Sequence, residues 1–206
     1  MKKWTLILLI LIIAAGSSFA QENQDKPVKG FKKDKLFTGG SITASFFNGG
    51  TALGLSPYFG YSLNKFVDVA ASINFNYTAH RDYIEYGDRL RQTVYGPGAF
   101  IRLFPVHFLF AEAEYQQNFI KLNYLPANNS NYLPSKNSAD ANSFLVGGGY
   151  TSGRRNGNNT YYYLSVMWDI AGVAQSPYVD GLGRNFPVIR GGINIALFQG
   201  RNRQRY

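Results

Sequence analysis

Six ionisable residues fall where alternating strands would turn them to one side: Asp68, Arg102, Glu112, Glu114, Asp169 and Arg190. Carboxylates and guanidinium groups at close quarters can transfer protons, line an ion path, or neutralise one another as structural pairs. The rest of the chain does little for the first option. It has no cysteine, so it offers no thiol nucleophile, no thiolate metal site and no disulfide. It has two histidines, His80 and His107, which fall at opposite ends of predicted strands and cannot share a site. Gly147-Gly148-Gly149 is not followed by the Lys-Ser/Thr of a phosphate-binding loop, and glycines also occur where a sheet wall is crowded. The expectation is therefore a non-enzymatic protein with no cofactor or metal. Its charges would be paired as a structural plug, with ion conduction as the alternative.

The elements that position these residues are strands. From Val67 to Tyr77 every second residue is apolar or aromatic, with Asp68, Ala70, Ser72, Asn74 and Asn76 between them. Period two over that length is a strand with one apolar and one polar face. The same division recurs at Tyr162–Ile170 and Ile189–Leu197. Eight strands are predicted: Leu36–Phe47, Ala52–Asn64, Phe66–Thr78, Gln92–Phe104, Phe108–Leu122, Ser143–Ser152, Thr160–Ala171 and Pro187–Phe198. Each exceeds the usual strand length of about 5 or 6 residues. Short connections alternate with long ones (79–91, 123–142 and 172–186), the turn at 48–51 being the exception. Long strands with an aliphatic face, aromatic ends (Tyr61, Tyr77, Tyr95, Tyr150, Tyr162, Trp168) and alternating loop lengths predict an all-β, eight-stranded antiparallel up-and-down transmembrane β-barrel. A soluble barrel would turn its apolar face inward, whereas here the small, amide and charged set is the one left for the interior. If Phe104 faces Phe108, Arg102 lies opposite Phe110 and diagonal to Glu112, within reach of a guanidinium.

The N-terminus reads as a secretory signal over residues 1–20: Lys2 and Lys3, an apolar core from Leu6 to Gly16, and the small residues of Ser18-Phe19-Ala20. The core is too short to span a bilayer. A polar basic periplasmic segment, 21–35, then precedes the barrel, 36–198, and a basic tail, 199–206, follows it. Without Lys2 and Lys3 the chain carries 19 basic and 12 acidic residues. The segment before Leu36, the tail's Arg201, Arg203 and Arg205, and the turn's Arg154 and Arg155 hold the whole excess. Scattered in this way, the charges read as solvated and do not form the basic stripe of a nucleic-acid protein, despite the pI of 9.7.

On this pattern of strands and turns from Leu36 to Phe198, the chain resembles the small eight-stranded outer-membrane barrels of the OmpA/OmpX kind, including porin-like barrels of Bacteroidetes. The last strand resembles the signal such families present to the barrel assembly machinery, with Arg190, Gly192, Ile195 and Leu197 in register and Phe198 closing it. The resemblance implies residence in the outer membrane of a Gram-negative bacterium, with outer-membrane lipid around the barrel and the assembly machinery as a partner during biogenesis. Some such barrels are lipid A acyl hydrolases or acyltransferases that use a His with a nearby Ser and an acid, but no Ser adjoins His80. The long loops carry Tyr83, Tyr86, Tyr124, Tyr132 and Tyr178 among Asn, Ser, Pro and Gly, a mixture suited to an extracellular protein or glycan ligand. The expected role is structural or surface interaction, with a narrow passive pore as the alternative.

Overall fold

The computed structural model describes residues 32–47, 50–128, 130–154, 160–173, 175–179 and 184–198. The expected signal segment, residues 21–31, the tail from 199 and Arg155 lie outside these. After a 3-10 turn at Lys33–Lys35 come β1 (Leu36–Phe47), β2 (Gly50–Ser62), β3 (Val67–Arg81), β4 (Arg89–Val106), β5 (Leu109–Leu125), β6 (Ser135–Thr151), β7 (Tyr161–Asp169) and β8 (Val188–Ala196). The strands pair antiparallel in chain order. β8 returns to β1 from Phe37↔Ala196 to Ala44↔Ile189, which closes the barrel. Closure removes both sheet edges, the condition for a sheet to lie in hydrocarbon.

All eight expected strands are present, and their lengths differ in a systematic way. β4, β5 and β6 run to 18, 17 and 17 residues. Segments read as loops, including Arg89–Arg91 and Ser135–Asn142, continue the ladder through Asn123↔Lys136 and Arg81↔Arg89. Backbone pairing persists there although hydrophobic alternation stops, because a sheet that rises out of an apolar layer is wet on both faces. β7 and β8 are shorter, at nine residues each. The final strand ends at Ala196, so Phe198 does not close it. Phe198 stands two residues beyond, 69% exposed, with a left-handed φ of 55°.

The faces divide as the alternation requires. Ile42, Leu53, Leu55, Ile73, Leu164 and Ile189 point outward and are exposed. In water each such side chain would forgo about 1.5–3 kcal/mol of burial, which a bilayer restores. Tyr77, Tyr95 and Trp168 stand toward the end carrying loops 82–88, 126–134 and 170–187, and Tyr150 and Tyr162 toward the end with the short turns. Among the described residues no helix is long and apolar enough to cross a membrane.

The inward set fills a bore that, for eight strands, is just wide enough for side chains. At the turn end Phe37, Tyr58, Phe100, Phe104, Phe110 and Tyr163 form an aromatic cluster. At the loop end Leu145, Met167, Phe186 and Val188 form a second. Charged and amide groups lie between them. Glycines make room for this packing: a Cβ on Gly192 would stand 2.5 Å from the Tyr163 ring, and one on Gly149 would stand 2.8 Å from Phe110 and collide with the Leu164 carbonyl.

Candidate functional site

All six charged residues named from the sequence are buried in the bore, but they form three separate structures. The first joins β4, β5 and β8. Arg102 and Glu112 are direct cross-strand partners, not diagonal ones: the turn falls at His107 and Phe108, and with a one-residue irregularity between Leu103 and Val106 the register sets Arg102 two residues from the expected Phe110. Arg102 Nε donates to Glu112 Oε2 at 2.7 Å, and its Nη2 lies 2.6 Å from the same oxygen. Arg190 pairs with Glu114 and lies 3.8 Å from Glu112, so two cations and two carboxylates close one network. Ser72 donates to Glu114 at 3.1 Å. The Arg102 guanidinium, 1% exposed, stands over Tyr163 at 4.4 Å, Phe110 at 4.6 Å and Phe100 at 4.9 Å, and donates to the Tyr161 hydroxyl at 3.2 Å. Ring faces carry partial negative charge, so this cage supplies part of the solvation the cation loses.

The second structure corrects the reading of Arg154 as a solvated turn charge. Its side chain folds back into the turn end and pairs with Asp68 Oδ1 at 3.0 Å and Oδ2 at 3.1 Å. It stacks 3.8 Å from the centre of Phe104. Asp68, although opposite Arg102 across β3 and β4, therefore has its ion pair elsewhere.

The third structure is at the loop end, where Asp169 makes no ion pair among the described residues and anchors a loop. It accepts from the backbone N–H groups of Phe144 at 2.9 Å and Ala171 at 3.0 Å, and from the Ser176 hydroxyl. The segment 175–179 is thereby held inward, Tyr178 with it. Tyr178 was expected at the surface but is 4% exposed. Its hydroxyl donates to Gln116 Oε1 at 2.8 Å and accepts from Asn76 at 3.3 Å. Ser143 links Ser176 to Asn118.

The other two loops form a platform. Tyr124 was also expected in a loop. It is the penultimate residue of β5, is 7% exposed, and donates its hydroxyl to Asp88 Oδ2 at 2.9 Å. Asp88 organises loop 82–88 by accepting from the N–H groups of Tyr83, Ile84 and Glu85. Asp88 is 1% exposed. Enclosure pushes its pKa up, but the Glu85, Ile84 and Tyr83 amides and the Tyr124 hydroxyl outweigh this and hold it below the usual carboxylate value. Tyr132 stacks edge-on to Tyr124 at 6.5 Å, and the platform exposes Tyr83, Tyr86, Ile84, Tyr132 and Leu133.

Arg154, Asp88 and Ser176 were missed from the sequence. Asp88 carries a local signal, an Asp that closes a Gly-containing turn and can cap it, whereas Arg154 and Ser176 carry none. His80 and His107 lie at opposite ends of the barrel. Among the described residues no group of three or more His, Asp or Glu could hold a metal ion.

No protein-family model matches the sequence, and no curated protein matches it. Several solved structures are similar to it. The N-terminal β-barrel domain of Pseudomonas aeruginosa OprF is 13% identical, with a TM-score of 0.44, over 79% of this chain and 98% of that one. Ail, the attachment invasion locus protein of Yersinia pestis, solved with the heparin analogue sucrose octasulfate, is 8% identical with a TM-score of 0.43, over 77% and 93%. Neisserial surface protein A is 12% identical with a TM-score of 0.39, over 79% and 96%. The class of this protein, a closed eight-stranded barrel with an apolar exterior, is defined by its own geometry.

Proposed function

We propose that the chain is an outer-membrane barrel of a Gram-negative bacterium with a structural or surface-interaction role, closed to solutes and presenting its loop platform outside the cell. The observation that carries this reading is the filling of the bore at every level. The aromatic cluster and the Arg154–Asp68 pair occupy the turn end, the four-charge network the middle, and Ser176 and Tyr178 the mouth. The exterior favours lipid as its surroundings. The exposed Tyr83, Tyr86 and Tyr132, set among apolar neighbours, suit an extracellular protein or glycan ligand. Both termini then face the periplasm, where Arg190, Gly192, Ile195 and Leu197 would address the assembly machinery. A narrow passive pore is the second reading. Thr43 Oγ1, Ser56 Oγ, Ser165 Oγ and Arg190 Nε favour it, being buried with no hydrogen-bond partner among the described residues, as on a wall that water can wet. Planar-bilayer recording of refolded protein separates the two. The closed barrel predicts currents that are small in the wild type and larger in Tyr178→Ala. Steady open-channel currents from the wild type would establish the pore.

A further inference from the structure

The outward face of β3–β6 changes character near its loop end. On β4 the apolar band runs from Leu103 up to Tyr95. At about 3.3 Å per residue and a tilt of about 40°, that is about 20 Å along the membrane normal. Arg91 stands about 10 Å higher on the same count, just above a band of about 25 Å. The cross-strand registers put two outward rows there. One is Tyr77, Thr93, Lys121 and Ser138, and the next is Ala79, Arg91, Asn123 and Lys136. Above them Arg81 and Arg89 are direct partners, both exposed. Like charges directly opposite repel. Among the described residues, none of Arg81, Arg89, Arg91, Lys121 and Lys136 forms an ion pair with a carboxylate. Asp140 lies one row below Lys121, and Asp82 and Glu85 belong to the loop above. Arg91, Lys121, Lys136, Tyr77, Thr93 and Asn123 border a shallow cleft of about 510 Å³. Lys121 Nζ also lies 5.3 Å from the Tyr95 ring centre, at the level where an interfacial aromatic ends and headgroups begin.

We propose that this cleft is a binding site for the phosphate-bearing headgroup of an outer-leaflet glycolipid, with Arg91, Lys121 and Lys136 on the phosphate. The site looks sideways from the barrel wall, immediately above the aromatic row, which is the position of a lipid headgroup and not of a ligand approaching the loop tips. Guanidinium and ammonium groups match phosphate oxygens, and a bound anion relieves the mutual repulsion of the five cations.

The inference rests on the exterior being a membrane face, and the experiment separates the two. Protein refolded in detergent, with folding checked by heat-modifiable migration, is titrated by native mass spectrometry with bisphosphorylated lipid A, with its dephosphorylated form, and with bisphosphorylated lipid A in the presence of excess inorganic phosphate. A near-surface cation is worth about fivefold in affinity for anionic lipid, so replacing three with Gln (R91Q, K121Q, K136Q) should weaken binding about a hundredfold. The wild type should prefer the bisphosphorylated lipid, and inorganic phosphate should not displace it. Equal binding of the dephosphorylated lipid, an unaffected triple variant, or displacement by inorganic phosphate each overturns the site. Failure of folded wild type to enter lipid vesicles would instead overturn the membrane reading on which the site rests.

Discussion

Glu112 is the carboxylate that meets both guanidinium groups of the four-charge network, 2.6 Å from Arg102 and 3.8 Å from Arg190. Glu112→Ala would leave Glu114 paired with Arg190 and Arg102 without its carboxylate. Removing one member of a buried pair costs about 3–5 kcal/mol. Two features place this case near the lower figure. Arg190 keeps its pairing with Glu114, and Arg102 keeps the ring faces of Tyr163, Phe110 and Phe100 and the Tyr161 hydroxyl. The expected loss is about 3 kcal/mol. Arg102→Ala should cost a similar amount, because Glu112 then retains only Arg190. In the double variant neither charge is stranded by loss of the other, so its cost should fall short of the sum by at least about 1 kcal/mol. The measurement is urea unfolding of protein refolded into vesicles, followed by Trp168 fluorescence and by gel migration. Conductance is recorded in parallel, and Glu112→Ala should raise it. A coupling within about 0.5 kcal/mol of zero, or a loss below about 1 kcal/mol in Glu112→Ala, would refute the plug by showing that water already solvates these groups.

Ala71 faces outward near the middle of the apolar band, so Ala71→Arg should cost about 2–4 kcal/mol in vesicle unfolding, whereas the inward Asn74→Ser should be mild; equal losses would mean that the faces are reversed. Asp88 has a folded pKa below its unfolded value of about 3.9. Its contribution is therefore complete above that value and is lost as pH falls through the lower, folded one. NMR of the Tyr83, Ile84 and Glu85 amides should show the loop loosening only below about pH 4 while the barrel persists, and Asp88→Ala should loosen it at neutral pH. A cysteine at Tyr86, 94% exposed, should react with an impermeant label in intact cells and one at Leu63 should not; the opposite pattern would invert the barrel.

The sequence alone carried the number of strands, the division of each into an inner and an outer face, and the presence of Asp68, Arg102, Glu112, Glu114 and Arg190 inside. Each of these follows from period two, a local property that a chain of alternating residues states without reference to its partners. The tertiary structure alone decided what those residues touch. Period two assigns a face but not a register: the turn at His107 and Phe108, together with the irregularity near Leu103, sets Arg102 against Glu112 and not against Phe110. Contacts across the bore join residues distant in sequence, such as Arg190 with Glu114 and Arg154 with Asp68, and only the closed sheet brings them together. Loops have no period at all. Nothing in the order of residues around Tyr178 distinguishes a side chain that points into the bore from one that points out, as Tyr86 does. That choice was made by Asp169 and Ser176 at the mouth, whose hydrogen bonds exist only once β6 and β7 are in place. The upper extents of β4 to β6 were hidden for a related reason: outside the apolar layer a strand needs only a neighbouring backbone, and composition does not report one.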